Sequence, residues 1–134
     1  MAKHVLPWLP ALLLAAALPL GASAADAGGA SKQVATARAH AGMALGAADL
    51  KTAQLHLHHV VNCLVGPSGQ GFDAAAGNPC KGMGRGAIAD ARGDATAEAR
   101  LDAALSRAEH GLKATTLDAA HADAQQAMNA LQIR

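Results

Sequence analysis

The sequence predicts an all-α fold: an antiparallel four-helix bundle made of two helical hairpins with a disulfide-stapled, Gly-rich connection between them. Three observations lead there. Apolar residues recur every three to four positions in four separate stretches. Asp, Thr and Ser stand where those stretches begin, and the breaks inside each pair are too short for anything but an antiparallel return. Between the pairs lies a long segment dominated by glycine, with Pro67, Pro79 and Cys80 in it.

The chain opens with a segment of another kind. Lys3 precedes an Ala/Leu-rich apolar run from Leu9 to Leu20, and Ala22, Ser23 and Ala24 form a small-x-small cleavage signal. Residues 1–24 therefore read as a secretory signal peptide, too short in its apolar run to span a bilayer comfortably. The reading places residues 25–134 in the periplasm or outside the cell, with no membrane attachment after cleavage.

That remainder is one domain's worth of chain. Without Lys3 it carries ten Lys and Arg against ten Asp and Glu, with six histidines. A balance of this kind leaves no electrostatic footprint for nucleic acid or an anionic membrane. Phe72 is its one aromatic residue, so stacking platforms for single strands are missing as well.

Helix by helix, the first stripe is Val34, Ala37, Ala41, Ala44, Leu45 and Ala48 over about 32–47, with residues 25–31 as a flexible lead and Ser31 as its cap. Asp49 caps the second helix, whose stripe is Leu50, Ala53, Leu57, Val60, Val61 and Leu64. Asp94 and Glu98 give the third an acidic first turn, favoured by the helix dipole, and its stripe is Ala97, Leu101, Ala104, Leu105, Ala108 and Leu112. Thr115 or Thr116 caps the fourth, with Leu117, Ala120, Ala124, Ala127, Met128 and Leu131 facing inward. LKTAQLHLHHVVNCL (50–64) and LDAAHADAQQAMNAL (117–131) align with Leu at both ends and with Ala53 and Asn62 opposite Ala120 and Asn129. The two hairpins can close within one chain or across a homodimer.

Small side chains bury little apolar area per helix, so a domain of this size needs further support. In an oxidising compartment Cys63 and Cys80 pair, and closing a loop of that length stabilises the fold by about 3 kcal/mol. The staple converts half of residues 65–93 into a cap on the second helix. Gly82 to Gly86 are left as its mobile part and as the candidate contact for a protein partner. Their glycine spacing is no phosphate loop, because no strand precedes it and no Gly-Lys-Ser/Thr ending follows.

The residues able to do chemistry are histidines. Angular spacing of 100° per residue puts His56, His59 and Cys63 in a narrow sector on one flank of the second helix, with His58 on the other side. His40 occupies the corresponding flank of the first helix, so the hairpin brings His40, His56 and His59 together. Imidazoles three or four apart on a helix can share one ion, and they suit Cu and Zn. A tetrahedral site of His56, His59, Cys63 and Cys80 needs free thiols, which export argues against. Haem ligation by Met43 and an inward-facing His121 is disfavoured by the outward direction of Met43 and the absence of Cys-x-x-Cys-His. No hydrolase, metalloprotease or thiol-oxidoreductase motif is present, and the chain reads as non-catalytic.

The phrases ARAHAGMAL and AAHADAQQAMNAL resemble the His-rich, Ala-rich periplasmic four-helix bundles called small metal-binding proteins. The resemblance covers the helices and leaves out the segment from Cys63 to Gly93. It implies loose binding of divalent ions, copper included, with His40, His56, His59 and His121 as the residues in comparable helical phrases. With six histidines the chain is much poorer in histidine than that family, which argues against its multi-ion capacity. The expected role is buffering or delivery of Cu or Zn. The competing expectation is an interaction module whose histidines are incidental.

Overall fold

The computed structural model describes residues 24–132. It shows five helices and no strand among them: α1 Ala24–Leu45, α2 Leu50–Val65, α3 Ala87–Asp90, α4 Ala95–Leu112 and α5 Leu117–Ala130. Apart from Ala24, the expected signal segment lies outside the described residues. No helix among the described residues is long and apolar enough to cross a membrane.

The four long helices form a closed ring in the order α1, α2, α4, α5. Long-range hydrogen bonds fix their sense. Gln54, near the start of α2, donates to the Leu112 and Ala114 carbonyls at the end of α4, both at 3.0 Å. His121, early in α5, reaches the Ala47 carbonyl just past the end of α1 at 3.0 Å. Neighbouring helices therefore run antiparallel all round, and one chain closes the bundle by itself.

The expected stripes form the core. Ala37, Ala41, Ala44, Ala53, Leu57, Val60, Leu64, Ala104, Ala108, Ala120, Ala124, Ala127 and Leu131 are fully buried, with Leu101 and Val61 nearly so. Most of these are alanines, which let helix axes approach closely while each contributes little area. Three caps stand where the sequence puts them. Asp49 Oδ1 accepts from the Thr52 amide at 2.9 Å, Asp94 Oδ1 from the Ala97 amide at 3.0 Å, and Thr116 Oγ1 from the Ala119 amide at 3.2 Å. Each satisfies a first-turn amide that has no partner within the helix.

Two expectations change. α1 starts at Ala24, so Ser31 lies inside the helix and does not cap it. The lead ADAGGAS contains no proline, and once the downstream turns are fixed by packing, adding residues to an existing helix is far easier than starting one. At its other end α1 stops at Leu45, and Ala47 takes the buried place expected of Ala48, which is exposed.

The connection 66–86 is also tied down more than its composition suggests. The Cys63–Cys80 disulfide is present, with Cα atoms 5.2 Å apart. Gly66, at φ 72°, lies so close to Arg85 that a Cβ there would overlap the Arg85 carbonyl, so both ends of the connection meet beside α2. The segment expected to be mobile is anchored as well. Thr36 Oγ1 donates to Met83 Sδ at 3.7 Å, and Asp90 accepts from the Arg85 amide and Nε at 2.9 and 3.0 Å. Asp90 belongs to α3, a single turn that the sequence reading did not separate from the connection.

Candidate metal centre

The turn at 46–49 folds α2 back along α1 and brings the flank carrying His40 against the flank carrying His56 and His59. Three imidazoles meet there. His40 Nδ1 lies 3.2 Å from His56 Nδ1 and 3.3 Å from His59 Nδ1. Ring centroids are 5.4, 4.6 and 5.7 Å apart for the 40–56, 40–59 and 56–59 pairs. Among the described residues this is the one group of three His, Cys, Asp or Glu side chains whose ligating atoms all lie within 4.8 Å of one another. All three are half-buried.

The spacing has chemical meaning. Zn–N bonds of about 2.0–2.1 Å place the nitrogens of a tetrahedral site about 3.3 Å apart. The two nitrogen separations at His40 match that edge length.

A hydrogen bond outside the cluster defines the protonation of one ring. His59 Nε2 lies 2.7 Å from the Ala76 carbonyl oxygen, which can only accept. Nε2 therefore carries the proton, and in neutral His59 the Nδ1 lone pair points at His40. Fixing a ligand's tautomer through its far nitrogen is the usual support of a metal-bound histidine. With no ion, a single N–H on His40 Nδ1 can bridge to both neighbours. A metal ion is the other species that can occupy the space between three lone pairs.

The Ala76 carbonyl owes its position to a strap formed by residues 73–77. Fully buried Asn62, on α2, holds this strap from below. Its Nδ2 donates to the Asp73 and Gly77 carbonyls at 2.7 and 2.6 Å, and its Oδ1 accepts from the Asp73 amide at 2.8 Å. Gly77, at φ 90°, supplies the left-handed turn that follows Ala76. One helical turn beyond His59, Cys63 pins the far end of the strap through Cys80.

Burial and mutual repulsion favour the neutral form of His40 and His56. Partial burial, then the proximity of His59 and His56, pushes the His40 pKa down from 6.5 to about 4. The His56 pKa is lowered for the same reasons, burial first and His59 second. Two of the three imidazoles thus keep their lone pairs below the pH at which a free histidine is protonated.

The remaining expected site residues lie elsewhere. His121 is not part of the cluster, because its Nε2 donates to the Ala47 carbonyl and ties α5 to the end of α1. Cys63 and Cys80 are both used by the disulfide, which removes the two-histidine, two-cysteine site. His58 faces away, as its angle requires, with Nδ1 3.5 Å from Asp73 Oδ2. Met43, expected to point outward, is half-exposed.

Sequence reasoning missed the strap and one polar pair. His110 exposes most of its ring, but its Nδ1 lies 2.7 Å from Oδ2 of buried Asp123. Arg107 approaches the other carboxylate oxygen at 3.8 Å. A signal for the pair existed in the sequence, because Asp123 falls between Ala120, Ala124 and Ala127 on the apolar face of its helix. No protein-family model, curated protein or solved structure matches this chain, so its functional reading rests on the geometry of the site.

Proposed function

We propose that the protein is a non-catalytic metal-binding bundle of the periplasm or extracellular space, taking one transition-metal ion, Cu or Zn, for buffering or delivery. The observation that carries this reading is the convergence of His40, His56 and His59 at tetrahedral ligand spacing, with the His59 tautomer set by the Ala76 carbonyl. Three imidazoles suit borderline ions of this kind. Export is supported by the small-x-small leader in the sequence and by the Cys63–Cys80 disulfide, which persists in oxidising compartments.

Calorimetric titration of the purified protein with Zn(II) and Cu(II) tests the reading against a His56→Ala/His59→Ala double variant. The expected result is one saturable site at micromolar affinity or tighter that disappears in the double variant. Equal weak binding by both proteins, with circular dichroism showing both folded, contradicts it and returns the histidines to an incidental role.

A further inference from the structure

Resting on the metal reading above, we propose that Met43 supplies a thioether as fourth ligand, which makes the triad a site for monovalent, soft copper in preference to zinc. The triad offers three nitrogens, and among the described residues no further His, Cys, Asp or Glu joins them. A donor of another type stands on the same helix as His40. Met43 follows His40 by three residues inside α1, so it lies one turn on and about 60° around the helix from it. Helical side chains lean toward the N-terminus of their own helix. The long, flexible arm of Met43 can accordingly reach back over the turn that carries His40.

Its exposure also needs a reason. Met43 is 50% exposed, one of two large apolar side chains in that state among the described residues, and it stands outside the core stripe of α1. Met43 is not held by core packing, and a thioether within reach of three imidazoles would have a chemical role. Soft sulfur ligands select Cu(I), and adding one to three nitrogens shifts preference away from zinc, for which water serves as the fourth ligand. Met83 is the alternative sulfur, held on the other side of His40 by its contact with Thr36, one turn earlier on α1. That contact already engages Met83 Sδ, and the residue packs against the core.

The test is an anaerobic competition of the purified protein, its disulfide intact, against a chromophoric Cu(I) chelator, with Zn(II) affinity measured in parallel. Met43→Leu keeps the size and helix propensity of the side chain and removes only the sulfur. The expected result is a loss of Cu(I) affinity of about tenfold or more, since disturbing even a supporting group of a metal site costs that much, with Zn(II) affinity unchanged. X-ray absorption of the copper-loaded protein should show a sulfur neighbour that Met43→Leu lacks.

Unchanged Cu(I) affinity in Met43→Leu overturns the proposal, as does an equal loss for both metals, which indicates disturbed packing. A loss seen in Met83→Leu and not in Met43→Leu overturns it too. Failure of the parent reading looks different. In that case the wild type binds neither metal at a saturable site, or the His56→Ala/His59→Ala variant binds as the wild type does.

Discussion

The two hairpins are built on one plan and use it for different chemistry. Aligned as α2 on α5, Leu50, Ala53, Asn62 and Leu64 fall on Leu117, Ala120, Asn129 and Leu131, and His56 falls on Asp123. Each of these last two faces a histidine of the preceding helix: His56 meets His40 at 3.2 Å, and Asp123 meets His110 at 2.7 Å. In the second hairpin an imidazole hydrogen-bonds one oxygen of a carboxylate, and Arg107 approaches the other. In the first, three imidazoles face one another. Protonating them sets like charges side by side, and leaving them neutral sets lone pairs side by side. Two exchanges at shared positions, His56 for Asp123 and His59 for Gln126, separate a polar pair from a cluster of imidazoles that could hold an ion.

Asn62 and Asn129 extend the contrast. Asn62 is fully buried and makes three hydrogen bonds to the strap, whereas Asn129 is exposed and accepts from Gln125 at 3.0 Å. Only the first hairpin carries a segment that needs such an anchor, and only that hairpin is stapled.

Removing the staple should have the largest effect. A Cys63→Ala/Cys80→Ala variant frees a loop with a sequence separation of 17 in the unfolded chain. Denaturant unfolding should show a loss of about 3 kcal/mol. A loss near zero would mean that Asn62 and the glycine contacts alone hold the strap. Next is Asn62→Ala, set beside Asn129→Ala. Because Asn62 positions the carbonyl that orients His59, metal affinity should fall about 10- to 100-fold, as it does when a ligand's supporting partner is lost. Asn129→Ala should leave affinity as it is, and equal effects from the two would erase the distinction between the hairpins.

The smallest effect concerns the metal-free protein and pH. The folded pKa values of His40 and His56 lie below the unfolded value near 6.5, that of His40 at about 4. Below pH 6.5 the unfolded chain therefore binds more protons than the folded one, and stability rises with pH across this window. Acidifying from pH 6.5 toward 4 should lower the unfolding midpoint progressively. A His40→Gln/His56→Gln variant should lose this part of the slope, and an identical slope in the variant would show that other groups produce it.

Much of this arrangement was legible in the sequence because helices make position predictable. The i, i+3 spacing of His56 and His59, together with the flank of His40, required only the angular step of a helix and a short turn to bring the rings together. What was not legible depends on backbone groups that every residue possesses. The carbonyl oriented toward His59 belongs to Ala76, whose side chain has no part in the contact. Nothing in AAAGNP distinguishes a strap from a loose loop until Asn62 is known to lie beneath it. His121 was grouped with the other histidines by the resemblance of its helical phrase. Pairing across α1 and α5 instead directed it to the Ala47 carbonyl. The early start of α1 was missed because small residues neither demand nor forbid a helix.

The central claim is that His40, His56 and His59 act as one ligand set, and nitrogen NMR of the imidazoles tests it most directly. In the metal-free protein His59 should appear as its Nε2–H tautomer. One equivalent of Zn(II) should then shift the Nδ1 resonances of His40, His56 and His59 together, leaving His110 and His121 in place. Shifts spread across all the histidines, or a response that does not saturate at one equivalent, would contradict the account.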